Sequence, residues 1–221
     1  MPLKNLLRSI ERDLEKEITV KIAFTGSHST GKTTAAKILK EQIEKVHGIS
    51  NSPFVLGSVT RTIIAWGGLG SNGKRLEISQ DSDSFQLACI YKRREWMLED
   101  EAINSNFLVS ERCAVDEAAY QGYKEQNNFQ IPSKYYYSVA VEEAKWEATN
   151  YWDRIYYIPV DDRGVEDDGV RPLDKNYQLD IDSEINRVLI RIGKFTIIKE
   201  VPLLLEEWPE FFEEEVRKWK K

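Results

Sequence analysis

The stretch "ITVKIAFTGSHSTGKTTAAKIL", which runs from Ile18 to Leu39, combines two structural patterns. Residues 18–25 carry apolar residues in alternation, which is typical of a strand. Residues 32–47 repeat apolar residues at helical spacing, and Gly48 then favours the end of a helix. A turn of small polar residues and glycines joins the two segments. Such a turn lets backbone N–H groups converge at the start of the helix, so we expect it to bind an anion.

The turn matches the pattern G-x-x-x-x-G-K-[ST], in which each residue type has a role in holding a triphosphate. Lys32 would reach the β- and γ-phosphates, and the Thr33 hydroxyl would bind Mg²⁺. We therefore predict ATP and Mg²⁺ as cofactors, and we expect the His28 side chain to face the phosphates or solvent. The residues predicted to hold the cofactor are Gly26, Ser27, His28, Ser29, Thr30, Gly31, Lys32, Thr33 and Thr34.

The composition predicts one globular domain over residues 1–221, since 41% of the chain is hydrophobic and 31% is charged. A formal net charge of −6 gives no general attraction to DNA or to anionic membranes. Cys89 and Cys113 form no disulfide or metal pattern, so we expect reduced packing residues and a cytoplasmic location in a bacterial or phage-infected cell. No signal peptide or membrane span is expected. Six tryptophans leave room for a homodimer interface.

Short apolar segments alternate along the chain with segments of helical periodicity. The predicted strands cover residues 18–25, 52–59, 106–111, 154–160 and 194–199. The predicted helices cover residues 3–16, 32–47, 81–102, 113–124, 133–148, a segment from near 183 or a few residues earlier to 191, and 203–219. This order predicts an α/β fold whose five-stranded, mostly parallel sheet has helices on both faces. Ligands of such sheets bind at the carboxyl ends of the strands.

The third predicted strand is followed by "SERCAVD", which places Glu111 and Arg112 at that edge. The carboxylate suits a Mg²⁺-bound water, and the guanidinium suits the charge of a phosphoryl group in transfer. An ion pair that only anchors the next helix is the alternative. Asp116, one helical turn further on, would either accept a hydrogen bond from the substrate or balance the helix N-terminus.

Two further strand ends carry candidate residues. After the second strand, Arg61 would bind a substrate phosphate and Trp66 would stack on a ring, the alternatives being an exposed arginine and a core tryptophan. After the fourth strand, the charged loop 161–174 contains Arg163 and Arg171. Such a loop is either a solvated surface or a lid that closes over ATP, and we favour the lid.

With these residues the chain resembles P-loop nucleoside and nucleotide kinases. In deoxynucleoside kinases a helix with "FQ…AC" holds the base, and the third strand ends in Glu-Arg-Ser. Here "FQLACIYKRR" supplies Phe85 and Gln86, and "SERCAVD" supplies Glu111 and Arg112, with Cys113 in place of the serine. The resemblance implies that Gln86 hydrogen-bonds a base edge and that Glu111 and Arg112 serve the metal and the phosphates.

The chain is also similar to a nicotinamide-riboside-kinase-like group of ATPase domains, whose members are common in phage genomes. The similarity lies in the arginine after the second strand and in "DGVRPLD", residues 168–174. Deoxynucleoside kinases have a glutamate base after the second strand, whereas residues 58–61 here contain no carboxylate, so only Asp116 or Glu111 could supply one. An acceptor that is already a phosphate needs more positive charge and less base catalysis. We therefore favour a nucleoside monophosphate kinase among kinases of nucleotide- or nucleoside-like small molecules.

Two other functions remain open at this point. An NTP-hydrolysing switch protein would use the same loop, but the chain has neither a hydrophobic run with paired acids nor a guanine-specificity motif. A kinase of a modified base within DNA would use the basic tail "RKWKK", residues 217–221, to contact a backbone. Cations also suit a helix C-terminus, so we do not favour DNA as a partner.

Overall fold

The computed structural model describes residues 20–65, 85–127, 133–162 and 174–219. The strands are β1 (Val20–Thr25), β2 (Phe54–Leu56), β3 (Phe107–Ser110), β4 (Arg154–Tyr157) and β5 (Ile198–Glu200). The α-helices are α1 (Lys32–His47), α2 (Val59–Ala65), α3 (Phe85–Met97), α4 (Asp100–Asn104), α5 (Ala114–Asn127), α6 (Ser133–Asn150), α7 (Lys175–Ile192) and α8 (Trp208–Arg217). Short 3₁₀ turns cover Ile49–Asn51 and Leu205–Glu207. The predicted helix at 3–16 lies outside the described residues.

The strands form one sheet in the order β2-β3-β1-β4-β5, and every neighbouring pair is parallel. The predicted α/β fold with a five-stranded sheet is confirmed. Because the strands are parallel, the segments that follow β1, β2, β3 and β4 emerge at the same edge of the sheet. The central strand β1 leads directly into the glycine turn, so this turn lies at the middle of that edge.

Helices cover both faces of the sheet, because successive side chains of a strand point to opposite sides. Ile22 and Phe24 of β1 are fully buried against α1 and α8. Ala23 between them is fully buried on the other face, where α3, α5, α6 and α7 pack. The two apolar layers hold β1 rigidly, and this fixes the position of the turn that follows it.

The region after β2 differs from the prediction. We expected a strand over 52–59, but β2 ends at Leu56 and residues 59–65 form the helix α2. Val59 and Ile63 are four residues apart and pack with Phe85 and Cys89 of α3. This packing overrides the strand preference of the β-branched residues in "VTRTIIA".

Two helix boundaries and one strand boundary also differ. The helix expected over 81–102 ends at Met97, because Leu98 is exposed and Glu99 is extended before α4 begins. The helix expected from 203 begins at Trp208, with proline in its first turn, where proline is tolerated. The last predicted strand, 194–199, is observed at Ile198–Glu200.

The largest boundary error concerns α7, which we expected to begin near Ser183 or a few residues earlier. It begins at Lys175, because the side chain of Asp174 accepts hydrogen bonds from the backbone N–H groups of Asn176 and Tyr177. The early start brings two additional turns of helix to the edge of the sheet where the glycine turn lies.

Both cysteines are free and buried. Burial, with the nearby Glu117 carboxylate, raises the pKa of the Cys89 thiol to about 12. Burial also raises the pKa of the Cys113 thiol well above its usual value. A higher thiol pKa lowers the fraction of reactive thiolate at neutral pH.

We therefore expect neither Cys89 nor Cys113 to react in the native protein. With a thiol-specific disulfide reagent at pH 8, both should react at least about a hundredfold more slowly than a free cysteine, and at full rate in denaturant. Rapid native labelling of Cys89 would contradict the buried position that the structure gives it.

Candidate active site

The glycine turn forms a compact loop at the end of β1. A Cβ on Gly26 would lie 2.5 Å from the Ile158 carbonyl oxygen, so the loop passes too close to the segment after β4 for any side chain there. Gly31 adopts φ 88° at the N-terminus of α1, and Ser29 adopts φ 57°, both in the left-handed region. A backbone of this shape suits N–H groups that converge at the start of α1, and it supports the predicted anion site, which stays a prediction.

Lys32 lies inside this loop and is 7% exposed. Its Nζ donates hydrogen bonds to the Gly26 carbonyl at 2.7 Å and to the Ser27 carbonyl. A further contact of 3.4 Å reaches the Thr30 hydroxyl. The ammonium group is therefore held by the loop itself, and its charge is positioned for an anion that binds there.

Thr33 and Glu111 come together although they are far apart in the sequence. The Thr33 hydroxyl, at the exposed start of α1, donates to Glu111 Oε2 at 3.0 Å. Oxygen donors of this kind are the ligands that Mg²⁺ prefers, and Mg²⁺ bound with a nucleotide takes few of them from the protein. The donor set therefore fits Mg²⁺, although the described residues contain no group of three or more His, Cys, Asp and Glu that could hold a metal.

Arg112 and Asp116 form a buried ion pair at the start of α5. Arg112 Nη1 donates to Asp116 Oδ1 at 3.0 Å, and Asp116 Oδ2 accepts from the backbone N–H of Cys113 at 3.2 Å. Burial alone would lower the pKa of Arg112, but Asp116 and Tyr120 raise it above its usual value, so the guanidinium is charged. Both carboxylate oxygens of Asp116 have partners within the protein. The bond from the Cys113 N–H supports the second of its two predicted roles, that of balancing the helix N-terminus, and the pair with Arg112 is an additional contact.

The loop is also tied to α7. The Ser27 hydroxyl donates to the Gln178 carbonyl at 2.9 Å, and Gln178 Nε2 donates to the His28 carbonyl at 2.7 Å. The His28 ring is 1% exposed and packs on Tyr177, with ring centroids 5.3 Å apart. The His28 side chain is therefore not exposed to solvent, because the early start of α7 buries it, and its position beside the phosphates stays a prediction.

The predicted substrate residues Phe85 and Gln86 begin α3 and are both buried. Two turns further along α3, the buried Arg93 forms a bidentate ion pair with Glu117 of α5, at 3.0 and 2.5 Å. Burial raises the pKa of Glu117, and the nearby Arg93 opposes this effect. This pair was not predicted from the sequence, because it joins two different helices.

Two buried side chains of α3 and α5 have polar atoms without partners among the described residues. Gln121 is fully buried, yet neither its side-chain nitrogen nor its oxygen has a hydrogen-bond partner among the described residues. Arg93 Nε is also without one. Gln121 follows Glu117 by one turn and therefore lies on the same face of α5. Because buried polar groups are normally paired, these atoms are candidates for hydrogen bonds to a bound polar molecule.

A cleft lies after the ends of β4 and β5. It has a volume of about 440 Å³ and is lined by residues 160–162 after β4 and by residues 203–206 after β5. Three consecutive leucines, Leu203, Leu204 and Leu205, are 56%, 53% and 40% exposed. The segment after β4 also passes the start of the glycine turn, at Ile158. This leucine-lined cleft also carries the carboxylates Asp161, Asp162 and Glu206, and its lining begins two residues after the point where this segment meets the glycine turn.

Several predicted residues cannot be placed. Trp66, Arg163 and Arg171 lie outside the described residues. Arg61 belongs to α2, but its side chain is not described. Thr34 is exposed in the first turn of α1. In the described parts of the chain, no helix is long and apolar enough to cross a membrane.

A family described as an AAA domain matches residues 21–201, which is most of the chain. The chain belongs to this AAA domain family. The match begins in β1 and ends just after β5, so it covers all five strands apart from Val20. A comparison with curated protein sequences gave no match.

Several solved structures share the fold of this AAA domain. Thymidylate kinase from Ehrlichia chaffeensis has a TM-score of 0.55 at 20% identity, over 91% of this chain and 98% of that one. NadR protein in complex with NR has a TM-score of 0.63 at 16% identity, over 90% of this chain but only 51% of that one. Deoxyadenosine kinase from M. mycoides has a TM-score of 0.58 at 11% identity, over 90% of this chain and all of that one. The predicted resemblance to P-loop nucleoside and nucleotide kinases is confirmed at the level of the fold.

Proposed function

We propose that this AAA domain is an ATP-dependent phosphotransferase that acts on a nucleotide- or nucleoside-like small molecule. The single observation that carries the proposal is the glycine loop at the end of β1, which encloses the Lys32 ammonium beside the Thr33–Glu111 pair. A positive charge, convergent N–H groups and two oxygen donors for Mg²⁺ are the parts that phosphoryl transfer needs.

The triphosphate would bind in the loop, with Lys32 leaving its own carbonyl partners for the phosphate oxygens. The base of the donor would lie in the leucine-lined cleft that borders the loop. Exposed leucine side chains there would gain from covering a flat ring, because this removes apolar surface from water.

The acceptor would bind where α3 and α5 leave polar atoms without partners. Gln121 offers a carbonyl oxygen and two N–H donors, and Gln86 on α3 offers the same set. Such groups match a ring with alternating hydrogen-bond donors and acceptors, as in a nucleobase. The buried Arg93–Glu117 pair would keep the two helices at the right separation.

The reaction would consist mainly of positioning and charge neutralisation by this chain's own residues. Lys32 would bind the β- and γ-phosphates, and Arg112, kept charged and oriented by Asp116, would face the group in transfer. Thr33 and Glu111 would hold Mg²⁺, which would neutralise phosphate charge. We retain Arg163 and Arg171 as proposed lid residues.

We favour a nucleoside monophosphate as the acceptor. The segment after β2 carries Arg61 in α2 and no carboxylate from Ser58 to Arg61, which suits a phosphate better than a free hydroxyl. Structures of similar fold include kinases named for a nucleotide and for a nucleoside, so both classes belong in the test.

The decisive experiment measures transfer of labelled γ-phosphate from ATP to nucleosides, nucleoside monophosphates and duplex DNA in parallel, with an arm that contains no acceptor. We expect a labelled small-molecule product from one acceptor class and almost no turnover without acceptor. Hydrolysis that no acceptor stimulates would instead identify an NTP-hydrolysing switch protein. Salt-sensitive labelling of DNA would instead identify a base within DNA as the acceptor.

Replacing Gln121 with leucine should separate acceptor binding from stability. We expect the KM of the acceptor found in that screen to rise about tenfold or more, because the amide would lose its hydrogen bonds to the ring. The melting temperature should stay the same or rise, since the variant removes buried unpaired polar atoms. Steady-state kinetics and thermal unfolding check the two effects.

The matched control is Gln42→Leu, which alters a similarly buried glutamine in α1, away from the interface of α3 and α5. It should leave the acceptor KM unchanged. An unchanged acceptor KM in Gln121→Leu would remove this glutamine from the proposed acceptor site.

A further inference from the structure

Two hydrogen bonds join the glycine turn, residues 26–33, which we call the phosphate loop, to the first turns of α7. Ser27 donates to the backbone of Gln178, and the Gln178 side chain donates back to the backbone of His28. All three residues are 2% exposed or less, so water does not compete for these bonds. Gln178 is 151 residues from Ser27 and 150 residues from His28 in the sequence.

The bond to the His28 carbonyl has a direct consequence for the loop. In a planar trans peptide, the C=O of one residue and the N–H of the next point in opposite directions. Gln178 holds the His28 carbonyl toward α7 at 2.7 Å, and this directs the N–H of Ser29 away from α7. That N–H is one of the donors predicted to line the anion site.

The conformation of Ser29 needs such support. Its φ of 57° lies in the left-handed region, where a residue with a Cβ is disfavoured. A conformation of this kind persists only when the surrounding structure holds it. The peptide that Gln178 binds is the one immediately before Ser29.

The helix that provides Gln178 is itself fixed to the sheet. Tyr157 at the end of β4 donates from its hydroxyl to Asp182 of α7 at 2.8 Å, and Asn186 donates to the same hydroxyl at 2.8 Å. Packing of Tyr177 on the His28 ring adds a second contact to the loop. α7 is therefore a rigid support on which Gln178 can fix the loop backbone.

We infer that Gln178 is a positioning residue of the nucleotide site, which orients the backbone of the phosphate loop for binding the triphosphate. It does not contact the nucleotide. Without the hydrogen bond from Gln178, the loop would still form. The peptide between His28 and Ser29 would then take several orientations, and only some of them would direct the Ser29 N–H toward a phosphate.

The test compares Gln178→Met with the wild type by calorimetric titration. Methionine keeps the length and the apolar contacts of glutamine and removes the donor. We expect the Kd of Mg·ATP to rise about tenfold, the amount that one buried hydrogen bond supplies. The Kd of tripolyphosphate should rise by the same factor, because the defect lies where the phosphates bind. In kinetics, the KM of ATP should rise and the KM of the acceptor should not.

Gln42→Met is the matched control, with the same substitution at a buried position away from the loop, and it should bind both probes as the wild type does. If Gln178→Met fails to fold, Gln178→Leu also removes the donor without adding a charge, and the same loss is expected. A lower melting temperature with an unchanged Kd for both probes would show a merely structural role and overturn the inference. A loss confined to ATP, with tripolyphosphate unaffected, would also overturn it.

This inference rests on the proposed function. Binding of the two probes to the wild type therefore distinguishes a failure of the proposed nucleotide site from a failure of the positioning role of Gln178. No binding of Mg·ATP or tripolyphosphate to the wild type would refute the proposed nucleotide site. Normal binding to both the wild type and Gln178→Met would refute only the positioning role.

Discussion

Replacing Lys32 with methionine should reduce phosphoryl transfer about a thousandfold or more, as expected when a group that neutralises charge in the transition state is lost. The side chain is buried within the loop, so no other lysine can take its place there. Methionine fills a similar volume, and the fold should therefore persist. Initial rates of labelled-phosphate transfer measure the loss of catalysis, and the Kd of Mg·ATP measures the loss of nucleotide binding.

The control for Lys32→Met is Lys37→Met, which makes the same substitution at an exposed position of the same helix. It should retain wild-type turnover. Full activity in Lys32→Met would refute the proposed site as a whole, because the roles of Glu111, Arg112 and Gln178 all depend on a triphosphate in this loop.

The loop was predictable from the sequence because its information is local. One short turn contains all the residues of the motif, namely Gly26, Gly31, Lys32 and Thr33. The glycines allow the tight backbone, and the lysine and threonine are the types that bind phosphate and Mg²⁺. The sheet was predictable for a related reason, since short apolar strands that alternate with helices have few ways to pack. Glu111 was found because it directly follows β3, at the edge where the loop lies.

Contacts between helices were not predictable, because nothing local encodes them. Arg93 and Glu117 lie 24 residues apart and pair only because α3 packs on α5. A single sequence gives no signal for that packing. The Gln121 amide, which has no partner in the described parts of the chain, was not predictable for the same reason, since the burial of α5 on several sides became evident only in the fold.

The start of α7 was missed because its first turns are polar. The segment "KNYQLDID" has little apolar periodicity, so the pattern indicated a helix only further along. Asp174, a good N-cap residue shortly after Pro172, was the available signal. Missing it also hid the contact of Gln178 with the phosphate loop.

Replacing Glu111 with glutamine should lower the rate of transfer about a hundredfold, because a neutral amide is a weaker partner for a Mg²⁺-bound nucleotide. The Thr33 hydroxyl that donates to Glu111 Oε2 would keep a hydrogen-bond partner, so the local structure should persist. The expected signature is a higher Mg²⁺ concentration for half-maximal rate, measured at saturating ATP. Glu41→Gln, at an exposed position of α1, should leave that concentration unchanged.

A companion variant, Thr33→Val, should raise the half-maximal Mg²⁺ concentration in the same direction. If the two side chains serve one ion, the effects in the double variant should be smaller than the product of the single effects, because residues that act as a unit are not additive. Independent, multiplying effects would mean that Thr33 and Glu111 act on different steps. The hydrogen bond between them would then be a structural contact, and the proposed Mg²⁺ site would lose its carboxylate.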